Sequence, residues 1–215
     1  MTQAKAKICG LSTPEAVSAA LDGGAAYLGF VFFEKSPRNL TPEAAARLVG
    51  PVRGRGVKTV AVTVDPDDAL VDRLMATMQP DLIQVHGKET PARVRQIAER
   101  AGVGVIKAFS VSSASDIDQA RAFETVAEQF LFDARPVEGS ALPGGTGARF
   151  DWSLLEGRRF SRPHFLAGGL DPWNVADAIR ASGAPLVDVS SGVERGPGLK
   201  DPALITAFLD AVKRV

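Results

Sequence analysis

Short apolar runs and helix-like stretches alternate along this sequence from end to end, with no linker or low-complexity segment between them. Eight runs, at about 5–9, 26–32, 59–63, 82–85, 105–108, 129–133, 164–167 and 186–189, read as strands by length and by their β-branched or aromatic content. Most lack a period of two, as expected when both faces of a parallel strand are buried. Helical character fills 13–22, 41–49, 69–78, 90–100, 114–123, 173–182 and 202–215, with a weaker stretch at 151–155. Six start signals repeat one theme: Thr13-Pro14, Thr41-Pro42, Asp65-Pro66, Thr90-Pro91, Asp171-Pro172 and Asp201-Pro202. Thr or Asp accepts a bond from an orphan amide as N-cap, and proline just inside loses no donor. Alternation of this kind means βαβ units and a parallel sheet. Dividing 215 residues by eight gives roughly 27 per unit, near the minimum for strand, helix and two short loops. The expected architecture is α/β, one eight-stranded parallel (βα)8 TIM barrel spanning residues 1–215. A doubly wound open sheet is the runner-up. Against it, no G-x-G-x-x-G follows the first strand and no phosphate-binding G-x-x-x-x-G-K-[ST] occurs anywhere.

Charge narrows the partners. Lys plus Arg is 25 and Asp plus Glu is 25, a net charge of zero. That argues against a nucleic-acid groove or a polybasic membrane surface. The single cysteine excludes an intramolecular disulfide and a Cys-rich zinc site. The N-terminal segment lacks an apolar stretch, and the longest apolar run, 27–33, falls far short of a membrane span. A cytoplasmic protein is expected. No apolar stripe stands out, so a monomer is expected too.

In a barrel of this kind, chemistry gathers at the C-terminal ends of the strands. Those ends offer Cys9, the loop Ser36-Pro37-Arg38, Asp65, His86, Lys107, Asp133, Gly168-Gly169, Asp188 and Ser190-Ser191-Gly192. Two strand-to-helix units are longer than the rest, with surplus residues at 33–39 and 134–149. The small residues after strands seven and eight let backbone amides approach a phosphate. Two plain glycine turns are the alternative, but the pairing of both loops favours a phosphate site. Cys9 has the chemistry of a base, given a lowered pKa, and Asp133 that of an acid, given partial desolvation. On local features alone, core packing for Cys9 and capping or pairing with Arg135 for Asp133 are the stronger readings. The Arg38 fork suits a carboxylate, though a solvated arginine is the default. His86 reads as a base or a hydrogen-bonded wall residue. Lys107 reads as a Schiff-base lysine or an ion-paired wall lysine.

At these residues the sequence resembles the phosphoribosylanthranilate isomerase family of tryptophan biosynthesis. The resemblance is carried by Lys7-Ile8-Cys9-Gly10, Gly29-Phe30-Val31-Phe32 with Ser36-Pro37-Arg38, and Gln84-Val85-His86-Gly87. It continues through Phe132-Asp133, Gly144-Gly145-Thr146-Gly147 with Phe150-Asp151-Trp152, Leu166-Ala167-Gly168-Gly169-Leu170, and Asp188-Val189-Ser190-Ser191-Gly192-Val193-Glu194. It implies an Amadori rearrangement of N-(5-phosphoribosyl)anthranilate to 1-(2-carboxyphenylamino)-1-deoxyribulose 5-phosphate, with no cofactor and no metal. It also implies Cys9 as general base, Asp133 as general acid and Arg38 as the reader of the anthranilate part. Gly168, Gly169, Ser190 and Ser191 would bind phosphate, Asp188 would lie near the sugar hydroxyls, and His86 would line the pocket. The implied partner is a small phosphoribosyl substrate, and the Gly144–Gly147 stretch is a candidate flap. Rival readings are a histidine-pathway aminoaldose isomerase, whose usual strand-one base is a carboxylate, and indole-glycerol-phosphate synthase, through Lys107. A non-catalytic phospho-sugar-binding barrel is the third; it would need no acid–base pair.

Overall fold

The computed structural model describes residues 3–135, 144–145 and 147–215. Eight parallel strands close on themselves in the order β1 to β8. They are β1 (Lys5–Cys9), β2 (Tyr27–Phe32), β3 (Lys58–Thr63), β4 (Leu82–Val85), β5 (Gly104–Val111), β6 (Gln129–Ala134), β7 (His164–Leu166) and β8 (Leu186–Val189). The helices are α1 (Pro14–Asp22), α2 (Pro42–Val49), α3 (Asp68–Thr77), α4 (Pro91–Ala101), α5 (Ala114–Asp118), α6 (Val175–Ser182) and α7 (Pro202–Lys213). A 3-10 turn, Trp152–Leu155, stands between β6 and β7. The eight-stranded barrel expected from the alternation is thus the fold observed. None of the described helices is long and apolar enough to cross a membrane.

Strand parity decides where each side chain goes. Tyr27, Val60, Leu82, Ile106, Leu131, Phe165 and Leu186 fill the inside of the barrel. Their neighbours Leu28, Ala61, Ile83, Val105, Phe130, Leu166 and Val187 pack outward against the helices. Both faces are therefore buried, which explains the missing alternation. Tyr27 and Phe165 meet edge to face at 5.1 Å in the interior. Two residues further along several of these strands, at the same inward parity, stand Gly29, Gln84, Asp133, Ala167 and Asp188.

Four of the six start signals act as expected. Thr13, Thr41 and Thr90 accept from the amides of Ala16, Ala44 and Arg93 at 3.2–3.3 Å, and Asp201 accepts from Ala203 at 2.8 Å. Two act elsewhere. Asp67, not Asp65, caps α3. Asp65 takes a positive φ of 45° and accepts from the Lys88 amide at 2.7 Å, tying the loops after β3 and β4 together. Asp171 accepts from the amides of Trp173 and Asn174 and holds a turn, so α6 starts only at Val175. The expected helix 114–123 is α-helical only to Asp118 and continues as a 3-10 turn, Gln119–Phe123. A short antiparallel hairpin, β9 (Glu194–Gly196) with β10 (Leu199–Lys200), follows β8 and is not foreshadowed by the sequence pattern.

Candidate active site

At the C-terminal mouth of the barrel lies a cavity of about 780 Å³, part of it open to solvent. That is room for a substrate-sized ligand. It is lined by Cys9, Arg38, His86, Asp133, Gly168, Gly169, Asp188, Ser190 and Ser191, so the nine residues to which the resemblance gives a role meet in one place. Lys107 does not. Its parity turns it away from the interior, and its ammonium donates to Glu89 at 2.7 Å and to the Gly87 carbonyl at 2.8 Å. The ion-paired wall reading of Lys107 holds, and the Schiff-base reading falls.

Cys9 closes β1 and is buried. Two residues back on the same face, Lys7 is fully buried and donates to Asp188 at 2.9 Å. These two are direct register partners across the β1–β8 pairing. Between Lys7 and Cys9 stands Gly29 of β2, where a Cβ would lie 3.2 Å from both the Cys9 Sγ and the Lys7 Cε. The missing side chain leaves thiol and ammonium facing each other. Burial pushes the Cys9 thiol up; the Lys7 ammonium opposes it, Asp188 adds to the rise, and Lys200 opposes it too, so the thiol stands above its usual value and the lowered pKa expected of a base is not found. Burial works against the charge of Lys7, but Asp188 and the thiol outweigh it and hold its pKa above the usual value.

Asp133 stands on the inward face of β6. Burial, and then the neighbouring negative charge of Asp188, raise its carboxyl to about 7. It does not pair with Arg135, whose guanidinium goes to Asp116 at 3.3 Å. The His86 Nε2 lies 3.4 Å from Asp133 Oδ2. Burial, followed by the charges of Lys107 and Lys7, lowers His86 to about 4, so the imidazole is neutral at pH 7. The contact therefore joins a neutral ring to a carboxyl that is half protonated near neutrality, and is no ion pair. With Gln84 Nε2 as donor to Nδ1 at 3.3 Å, the ring proton sits on Nε2, toward Asp133.

Gly168 and Gly169 follow β7 with φ of 88° and 63°. A Cβ at Gly168 would sit 2.6 Å from the Ala134 amide nitrogen and 3.1 Å from Asp133 Oδ1. Only glycine lets this loop lie so close to Asp133. Among the described residues, the Gly168 and Gly169 amides have no hydrogen-bond acceptor, which leaves them for an anion. Arg149 braces the loop, donating to the Gly169 carbonyl at 3.0 Å and to Asp171 at 2.8 Å. Ser190 and Ser191 complete the same rim after β8. Of the candidate flap, Gly144, Gly145 and Gly147 line the cavity, while Thr146 lies outside the described residues.

Three residues with covered side chains are not among the candidates read from the sequence: Lys7, Glu194 and Lys200. Arg38 Nε donates to Glu194 at 2.7 Å, and Lys200 Nζ reaches the same carboxylate at 2.6 Å. Strand parity was the available signal for Lys7, two residues before Cys9. For the Arg38–Glu194 pair, 156 positions apart, there was none.

The family described as N-(5'phosphoribosyl)anthranilate (PRA) isomerase matches residues 6–211. A curated N-(5'-phosphoribosyl)anthranilate isomerase from Caulobacter vibrioides is 83% identical over 97% of this chain and 95% of its own length. The enzyme of that name from Caulobacter sp. strain K31 is also 83% identical, over 98% and 99%. Among solved structures, phosphoribosyl anthranilate isomerase from Thermotoga maritima superposes with a TM-score of 0.88 at 36% identity, covering 99% of this chain and 100% of that one. Another, in complex with reduced 1-(o-carboxyphenylamino)-1-deoxyribulose 5-phosphate, superposes at 0.85 with 34% identity over the same shares. By sequence along nearly its whole length, and by fold, this chain belongs to the N-(5'-phosphoribosyl)anthranilate isomerase family.

Proposed function

We propose that residues 1–215 act as a single catalytic domain that isomerises N-(5'-phosphoribosyl)anthranilate in the cytoplasm, by acid–base catalysis from Asp133 and Cys9. The observation that carries the assignment is one cavity that presents a buried thiol, a carboxyl raised to about 7 and a rim of glycine and serine. Asp133 gives its proton to the ribose ring oxygen as the C1′–O bond breaks. The amine lone pair then forms the C1′=N bond of a protonated Schiff base. The Cys9 thiolate, with Lys7 as its buried counter-charge, removes the C2′ proton. The released pair forms C1′=C2′, and the nitrogen recovers its own pair, leaving an enolamine. Loss of the proton on the C2′ oxygen and gain of one at C1′ give the ketone. Each transfer needs a positioned group of tuned pKa. Phosphate held by Gly168, Gly169, Ser190 and Ser191 fixes the sugar so that these groups meet the right atoms.

The test is a fluorescence assay of phosphoribosylanthranilate consumption. Cys9→Ser and Asp133→Asn should each lower kcat by about 100-fold or more, the usual range for losing an acid–base group. Binding of the reduced product should change little. Near-native turnover in either variant would remove that residue from its role.

A further inference from the structure

Arg38 is not alone at the mouth. The β9–β10 hairpin brings two buried ionisable side chains against it, Glu194 and Lys200. Arg38 Nε donates to Glu194 Oε1 at 2.7 Å and its Nη2 to Oε2 at 2.8 Å. Glu194 thus takes one of the two bidentate edges of the guanidinium. Lys200 Nζ donates to Oε1 at 2.6 Å, and also to the Ser190 carbonyl at 2.9 Å and hydroxyl at 3.3 Å. The Gly198 amide adds a bond to Oε2 at 3.1 Å. The carboxylate has four donors and no freedom to turn.

Two consequences follow from this count. The Arg38 Nη1 donates to no described residue, while Nη2 also reaches the carbonyl of Gly145 at 3.4 Å; Gly145 lines the cavity, and a Cβ there would approach Nη1 to 3.1 Å. The cluster also holds two cations and one anion. A buried surplus positive charge is costly unless an anion joins it. We propose that Glu194, itself fixed by Lys200, is the positioning residue that aims Arg38. It occupies the Nε–Nη2 edge of the guanidinium, so Nη1 and the unneutralised charge face the aryl carboxylate of the substrate. This rests on the carboxylate-reading role of Arg38 proposed by resemblance, and adds to it the residue that sets the aim.

Steady-state kinetics on two substrates test the assignment. One is phosphoribosylanthranilate; the other is N-(5'-phosphoribosyl)aniline, which lacks only the carboxylate. Glu194→Gln should raise KM for the first about tenfold or more, the worth of a charge-assisted bond. Its kcat should stay within about threefold, and KM for the aniline should match wild type. If Glu194→Gln does not fold, Glu194→Asp decides: it keeps the charge but withdraws the oxygen from Nη2, and should show the same selective rise. An equal KM rise on both substrates, or on neither, would overturn the aiming role while leaving the Arg38 reading intact. Equal KM values for the two substrates in wild type would overturn both.

Discussion

Asp133 must hold a proton, and Cys9 must lose one, before the proposed chemistry can start. Burial serves the first need and opposes the second. The Lys7 and Lys200 ammonium groups offset part of that opposition at the thiol. The raised carboxyl also has a thermodynamic consequence. Asp133 titrates near 3.8 in the unfolded chain and near 7 in the fold. Between those values the folded state binds more protons, so stability falls as pH rises through the window and the loss is complete above it. Asp133→Asn removes this loss. The variant should gain about 2–4 kcal/mol over wild type at pH 8 and little at pH 4. Thermal melts of both proteins at the two pH values check this. A gain of the same size at both would show that the carboxyl is not the source.

At the scale of elements, the loop after β7 couples shape to chemistry. Gly168→Ala forces a Cβ against the Ala134 amide from a left-handed backbone. The expected result is a loss of roughly 1–3 kcal/mol in stability, and competitive inhibition by inorganic phosphate should weaken together with substrate affinity. Unchanged phosphate inhibition would separate this loop from anion binding. The eight strands were legible because β-branched and aromatic runs of the right length recur between capped helices. Cys9, His86, Asp133 and Asp188 were legible because strand ends define the mouth. What stayed hidden depends on distant partners. Asp65 leaves its expected cap because the Lys88 amide, in the next loop, offers a better donor. The β9–β10 hairpin was missed because strands of three and two residues, the first ending in Gly196 and the second preceded by Gly198, carry no periodicity. With it went Glu194 and Lys200, whose role appears only once Arg38 is beside them.

For the molecule as a whole, zero net charge suits the proposed site, which would hold its anions with local amides and one surplus cation rather than a broad positive field. The Thermotoga maritima relative is described as dimeric. In this chain the large apolar side chains exposed among the described residues are Trp173, Leu199 and Val215. That is little for an interface of standard size. Light scattering should return about the monomer mass of 22.6 kDa, and a species near twice that would overturn the expectation. The barrel closes where β1 meets β8, and the Lys7–Asp188 pair, 181 positions apart, bridges that seam. Such a contact forms only after a long loop has closed. Cys9, proposed as the base, stands in the first strand and so depends for its charged surroundings on the last strand of the barrel in chain order. During refolding, turnover cannot precede ring closure, so the regain of activity is a clock for the completion of the fold.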